Sequence, residues 1–410
     1  MIPNKPVHFS VNAFPVIDDC LQIGGMPLTR LAKRAGGAFF AYDRRLLTER
    51  VDHVRKNLPP EVALHYAMKA NPMPALVQHM ATLVDGLDVA SRGELNVALD
   101  TPLASEHISF AGPGKTGDDL ESAIAAGIVI NLESVREMEN AARIGQSLGY
   151  RPKVAVRVNP DFELKSSGMK MGGGAKQFGV DAEQVPKMLE RMAELDFEFV
   201  GFHIFSGSQN LKAEAIMEAQ EKSIMLGLDL SRHAPSPVRV LNIGGGFGIP
   251  YFPGEAPLDL AAVGDNLGRL MPMVKRDFPG ACLVIELGRY LVGEAGIYVT
   301  RVIDRKISRG QIFLVTEGGL HHHLAASGNF GQVIRKNYPV AVGNKMQGSA
   351  REVVSVVGPL CTPLDLLADR MEMAQADVGD LIVVFQSGAY GPTASPNAFL
   401  SHPKAVEVLV

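Results

Sequence analysis

Ala63-Leu64-His65-Tyr66-Ala67-Met68-Lys69-Ala70-Asn71 is the stretch that decides the fold. It opens as an apolar run too short for an ordinary helix and ends in Lys69 and Asn71, groups unsuited to a core. The same pattern recurs. Apolar runs at 63–71, 86–91, 107–113, 127–134, 153–160, 199–208, 238–246 and 282–289 are mostly rich in Val, Ile or Leu. Segments between them, such as 74–84 and 135–148, place apolar residues three and four apart with charges on the other face. Strand then helix, repeated in this way, predicts an α/β fold of the (β/α)8 barrel type. An open doubly wound sheet is the alternative, because the same alternation permits it. The polar run ends favour the barrel: Lys69 with Asn71, Ser91, Gly112 with Gly114, Glu133, Arg157 with Asn159, Ser208, Gly244 to Gly246, and Glu286 with Arg289. In a barrel these all converge on the mouth where such folds do chemistry.

After Tyr290 the texture changes to strands without intervening helices, at 296–303, 311–316, 352–357 and 381–385. This predicts a C-terminal β domain. Residues 36–290 are therefore assigned to the barrel, with 39–42 and the helical stretch 51–57 leading into it, and 1–35 with 291–410 to the β domain.

A chain of 410 residues with 46% hydrophobic and 20% charged residues can bury full cores and does not read as disordered. Its net charge of -4 gives no electrostatic reason to expect nucleic acid. Cys20, Cys282 and Cys361 are too few and too scattered for a disulfide framework or a CxxC metal site. Met1-Ile2-Pro3-Asn4-Lys5-Pro6 lacks a secretory pattern, and no run approaches a membrane span. The expectation is a cytoplasmic protein with a small-molecule partner.

Lys69 ends an otherwise buried strand, so partial desolvation is expected to favour a neutral, nucleophilic amine able to form a Schiff base; the bland alternative is a snorkelling lysine. Ile243-Gly244-Gly245-Gly246-Phe247-Gly248 offers backbone N–H groups free of side chains, as a phosphate requires. It comes too late in the chain for a dinucleotide fingerprint. Gly112-Pro113-Gly114-Lys115-Thr116 imitates a Walker A loop but has Ser109 where the first glycine belongs. Glu286-Leu287-Gly288-Arg289 sets a carboxylate and a guanidinium one turn apart, suited either to an ion pair or to a pyridine nitrogen that must stay protonated. Cys361 follows a Gly358-Pro359 turn that could present a thiol as a proton donor, and Tyr390 lies in a glycine-flanked loop. His321-His322-His323 cannot all face one ion from a strand, so no metal is expected.

In combination these motifs resemble the fold-type III pyridoxal-phosphate decarboxylases, the group of diaminopimelate, ornithine and arginine decarboxylases. The likeness runs from about Phe39 to His402. It rests on Tyr66-Ala67-Met68-Lys69-Ala70-Asn71, Asp88-Val89-Ala90-Ser91-Arg92-Gly93-Glu94, the triple glycine, Glu286 with Gly288-Arg289, Gly358-Pro359 with Cys361, and Gly388-Ala389-Tyr390. The resemblance implies an alanine racemase-like barrel with a C-terminal β domain, paired as a homodimer with shared active sites. It implies pyridoxal 5'-phosphate on Lys69, with Glu286 at the ring nitrogen. Ser208, Gly244, Gly245, Gly246, Arg289 and Tyr390 take the phosphate, Asp88, Glu94 and Arg157 support Lys69, and Cys361 of the other subunit gives a proton.

Three departures from the family pattern matter. The position that usually sets a histidine against the cofactor ring is Phe205, with His203 two residues earlier on the same strand face. Thr362 replaces the acid that often follows the catalytic cysteine and reads the distal amine of diamino substrates, leaving Thr362 and Asp365 as the substrate-side candidates. Leu287 stands where many members have proline, a tolerable turn variant. Lys170-Met171-Gly172-Gly173, Gln177-Phe178-Gly179, Gly319-Leu320-His321-His322-His323 and Cys361-Thr362-Pro363 look most like the branch that decarboxylates amino acids held on an acyl carrier protein, and like exosortase-associated relatives. The implied function is loss of the α-carboxylate of an amino acid as CO2, with a carrier-tethered or glutamate-like substrate. The alternatives are a diaminopimelate decarboxylase, an amino-acid racemase and a non-enzymatic pyridoxal-phosphate-binding protein. Glu286 disfavours the racemase, because racemases of this architecture set an arginine near the ring nitrogen. The β domain with Cys361 and Tyr390 disfavours the binding protein.

Overall fold

The computed structural model describes residues 7–10, 12–163, 169–170, 172–330, 332 and 335–410. The N-terminal Met1-Ile2-Pro3-Asn4-Lys5-Pro6 stretch and Met171 of the Lys170-Met171-Gly172-Gly173 motif lie outside them. The chain divides into two compact units. One takes the residues up to 49 with 250–257 and 291–410, and the other takes 50–249 and 258–290.

The second unit is a closed parallel barrel. Its strands are β1 (Val62–Ala67), β2 (Gly86–Val89), β3 (Ile108–Phe110), β4 (Val129–Leu132), β5 (Lys153–Asn159), β6 (Glu198–Ile204), β7 (Val240–Gly245) and β8 (Cys282–Leu287). They pair in sequence order, and β8 pairs with β1 to close the ring, so the open-sheet alternative is excluded. Every run read from hydropathy became one of these strands. Helices between them begin and end where local chemistry dictates. Ser134 caps Val135–Leu148 by accepting from Glu137 N, and Thr116 with Asp119 forms a capping box on Gly117–Ala126. Gly127 and Gly149 end the same two helices in the left-handed conformation.

Strand alternation turns a polar residue of each strand into the barrel, where His65, Asp88, Ser109, Asn131, Arg157, His203, Asn242 and Glu286 stand among buried aliphatic neighbours. Buried polar groups are stable only when paired, so this set must form networks.

The first unit is built on a sheet in the order Val340–Val342, Leu381–Val384, Gly296–Ser308, Gln311–Thr316, Arg351–Val357, Leu366–Ala374. Its core joins Leu21, Ile23, Leu28 and Leu31 to Phe39, Ile297, Val299 and Val383. Phe39–Tyr42, read from sequence as leading into the barrel, instead belongs here. It pairs antiparallel with Gly296–Val299 and parallel with Val406–Leu409. All four residues of that strand are buried, and a continuous apolar run reads alike whether it enters a barrel or crosses the middle of another sheet. Leu366–Ala374 escaped notice because Asp369, Arg370 and Glu372 break its apolar pattern.

Candidate active site

Lys69 stands on the turn Met68–Ala70 that follows β1. Met68 and Ala70 are buried on either side of it, and the Tyr66 hydroxyl donates to Asn71 O at 2.8 Å, which fixes the turn. The Lys69 ammonium lies 5.6 Å from the centre of the Phe205 ring. Contrary to the desolvation expected from sequence, the Lys69 side chain is exposed, because the turn carries it past the last strand residue, Ala67. The end of β8 reaches this turn closely. A Cβ on Gly288 would come 2.9 Å from Ala67 O and 3.0 Å from the Ala70 methyl, so only glycine lets the two meet.

Glu286 is buried at the end of β8, with Oε2 3.1 Å from His203 Nε2 and accepting from Asn242 Nδ2 at 3.2 Å. Burial pushes its carboxyl upward, but His203, Lys69 and Arg157 together outweigh that and hold it well below the usual carboxylate range. Asn242 also accepts from Gly244 N at 2.8 Å, so one amide ties the carboxylate to the glycine turn. Gly244 and Gly246 have φ of 70° and 75°, a conformation that bulky residues resist. Nearby, Ser208 Oγ is buried without a hydrogen-bond partner among the described residues.

Asp88 closes the other side of the mouth. Its Oδ1 meets His65 Nδ1 at 3.1 Å and accepts from Ser109 Oγ at 2.7 Å, and Asn131 Nδ2 donates to that hydroxyl at 3.1 Å. Four strands are thus linked by one polar chain, while Asp88 Oδ2 has no hydrogen-bond partner among the described residues. Glu94 accepts from Ala90 N and feels the Lys69 charge, though burial still raises its carboxyl above the ordinary value. Arg157 donates to Glu133 Oε1 at 2.7 Å, and Glu133 also accepts from Gly112 N and Gly179 N. Burial raises the Glu133 carboxyl, and Arg157 and Lys115 reverse the effect. The Walker-like loop has a structural use. Lys115 is almost fully buried and pairs with Glu137 at 2.7 Å, while Thr116 caps the next helix.

The structure brings Lys69, Asp88, Arg157, His203, Phe205, Ser208, Gly244 to Gly246 and Glu286 to the ends of neighbouring barrel strands, with Arg289 opening the short helix Arg289–Val292 after β8. His65, Ser109, Asn131 and Asn242 were missed. Their signal was present, since each is a polar residue at an inward position of an apolar run.

The other candidates lie in the β unit. Cys361 is exposed on the turn before Leu366–Ala374, and Thr362 Oγ1 accepts from Leu364 N at 3.3 Å. Tyr390 adopts φ of 53° and sets its ring 6.2 Å from that of Phe330. Asp365 is not placed as a substrate ligand. It is 2% exposed, and its two carboxylate oxygens accept from Leu320 N and Leu360 N, tying the two loops together. The three histidines also serve packing. His322 Nδ1 lies 3.0 Å from the Tyr298 hydroxyl and its Nε2 donates to Pro403 O, and His323 Nε2 lies 2.9 Å from Ser387 Oγ. Among the described residues no group of three His, Cys, Asp or Glu is arranged to hold a metal.

These residues fit one cofactor. An exposed lysine at a barrel mouth, an aromatic face beside it, a buried carboxylate held ionised, and an unpartnered hydroxyl beside a glycine turn together suit an aldehyde-bearing pyridine with a phosphate arm. Fold and site define a pyridoxal-phosphate enzyme of the (β/α)8 type. Residues 44–293 match the family model described as pyridoxal-dependent decarboxylase, pyridoxal binding domain. The chain is 36% identical to an L-glutamyl-(BtrI acyl-carrier protein) decarboxylase of Niallia circulans, over 93% of this chain and 90% of that one. It is 34% identical to a diaminopimelate decarboxylase of Aquifex aeolicus, over 96% and 91%. A crystal structure of a diaminopimelate decarboxylase from M. jannaschii in complex with L-lysine superposes with a TM-score of 0.89 at 25% identity, covering 97% of this chain and 93% of that one. The chain belongs to the pyridoxal-dependent decarboxylases. It is a pyridoxal 5'-phosphate-dependent carboxy-lyase that removes the carboxylate of an amino acid as CO2.

Proposed function

We propose that this decarboxylase acts on an amino acid held on an acyl carrier protein, with a glutamyl group as the substrate class. One observation carries the choice: the residue after Cys361 is Thr362, whose hydroxyl is occupied by Leu364 N, so no carboxylate stands there to receive a distal ammonium. The relative from Niallia circulans supports the same reading by its name. Because the α-carboxylate is the group lost, a glutamyl substrate must be attached through its side-chain carboxyl.

Bound pyridoxal phosphate supplies an aldehyde for the substrate amine and a ring that accepts electrons as CO2 departs. Lys69 would hold the cofactor's aldehyde through its amine. Glu286, held ionised by His203, Lys69 and Arg157, would favour a protonated ring nitrogen. Ser208, the backbone of Gly244 to Gly246 and Arg289 would hold the phosphate. Asp88, Glu94 and Arg157 would orient the lysine turn, and Phe205, whose ring centre lies 5.6 Å from the Lys69 ammonium, would cover one face of the cofactor ring. Cys361 of a second copy gives the proton to the carbon that lost CO2, which makes the working form a homodimer. With all three cysteines free, a reducing compartment, the cytoplasm, is the one we assign.

The test is direct. Holoenzyme is offered γ-glutamyl carrier protein, free glutamate, ornithine and meso-diaminopimelate, with released CO2 trapped and the carrier weighed by mass spectrometry. Loss of CO2 from the loaded carrier, with slow or no turnover of the free acids, supports the assignment. Efficient turnover of diaminopimelate with an untouched carrier overturns it.

A further inference from the structure

The interior of a (β/α)8 barrel is ordinarily filled by layers of bulky side chains. Here the half toward the strand N-termini is hollow. A cavity of about 340 Å³ lies there, walled by Ala63, Val129, Ala155, Val240 and Val284. Its roof is His65, Ser109, Asn131 and Asn242, the inward groups that hold Asp88 and Glu286 from below. His65 lies deep in the barrel, yet 13% of its side chain is accessible, and it lines this space.

At the open end, Glu106 lies 3.9 Å from His107, and the other charges but one are paired. Arg239 is bound to Glu198 at 2.7 Å, and Asp85 to Arg55 at 2.7 Å. Lys153, the first residue of β5, lines the cavity and makes no ion pair among the described residues. Outside, a surface groove of about 550 Å³ shares Glu198 and Arg239 with the cavity.

An apolar chamber with one unspent cation at its entrance is complementary to an anionic amphiphile. We propose that the N-terminal end of the barrel is a second binding site, taking a medium-chain carboxylate with its head at Lys153 and its chain between β1, β4, β5, β7 and β8. The chain end meets His65 and Asn242, so occupancy is communicated to Asp88 and Glu286 in the cofactor site.

Octanoate and octylammonium are the probes, titrated calorimetrically into protein saturated with pyridoxal phosphate, so that the phosphate site is not available to an anion. Octanoate should bind saturably, with a Kd on the order of 1 mM or tighter, and octylammonium should not. Ala155→Phe, which fills the chamber, should abolish binding, and Lys153→Met should weaken it about tenfold. Should Ala155→Phe fail to fold, Lys153→Met at the rim decides alone. Absence of saturable octanoate binding, equal binding of the two probes, or an affinity unchanged in the folded variants would overturn the proposal.

Discussion

His203 Nε2 lies 3.1 Å from Glu286 Oε2, and this contact sets the charge of the site. Neither imidazole nitrogen makes a well-aligned hydrogen bond among the described residues, so the pair acts through proximity of charge more than through geometry. Burial alone would neutralise Glu286, and the cationic surroundings prevent it.

Glu286→Gln should therefore keep the fold and slow decarboxylation by about 10²- to 10³-fold, in the range found when one preorganised electrostatic group is removed. His203→Phe should act in the same direction with a different signature. In the wild type the Glu286 carboxylate persists well below its ordinary value of 4.5, whereas without the imidazole its titration moves up. The acid limb of the bound cofactor's absorption spectrum should shift to higher pH in His203→Phe, measured by spectrophotometric titration. An unchanged limb would remove His203 from the role.

The Arg157–Glu133 pair is a stability element. Both groups are buried, and removing one leaves the other charged without compensation. Glu133→Ala should cost about 3 to 5 kcal/mol in urea unfolding. Arg191→Ala, which breaks only exposed contacts to Glu139 and Glu194, should cost less than about 1 kcal/mol.

Acid should weaken the β unit before it reaches the carboxylates. His323 is fully buried, and burial, followed by His322, pushes its imidazole down to about 3 from 6.5. The unfolded chain binds a proton there between those two values while the folded chain does not, so stability is complete above the unfolded value and falls as pH drops through that window. The limiting slope is about 1.4 kcal/mol per pH unit for one such proton. Unfolding free energies measured from pH 7.5 to 5 should fall less steeply in His323→Phe than in the wild type, whatever their absolute values.

Sharing of active sites is testable by complementation. Lys69→Ala and Cys361→Ala should each be nearly inactive, and subunits of the two variants mixed and reassociated should regain part of the wild-type rate. No recovery, with mixed dimers demonstrated by mass spectrometry, counts against a proton donor contributed from a second copy.

Much of this was legible in the sequence because the physics is local. An apolar run that ends in Lys69 or Glu286 shows both a strand and the end that faces the mouth. Ser134 before a periodic segment, and Gly149 after it, bracket the observed helix Val135–Leu148. What was not legible depends on partners distant in sequence. Phe39–Tyr42 is a central strand only because residues 296–299 and 406–409 flank it. Asp365 looked available for substrate, and only the fold shows Leu320 N and Leu360 N on its two oxygens. The exposure of Lys69 follows from a single turn placed after the strand, which hydropathy averages away.

Borohydride reduction of the holoprotein, followed by peptide mass mapping, tests the central assignment most directly, because it fixes the carbonyl carbon of pyridoxal phosphate onto whichever amine holds it. A phosphopyridoxyl group on Lys69, absent in Lys69→Ala, is the expected result. Modification of another lysine such as Lys115, or of none, would contradict the site described above.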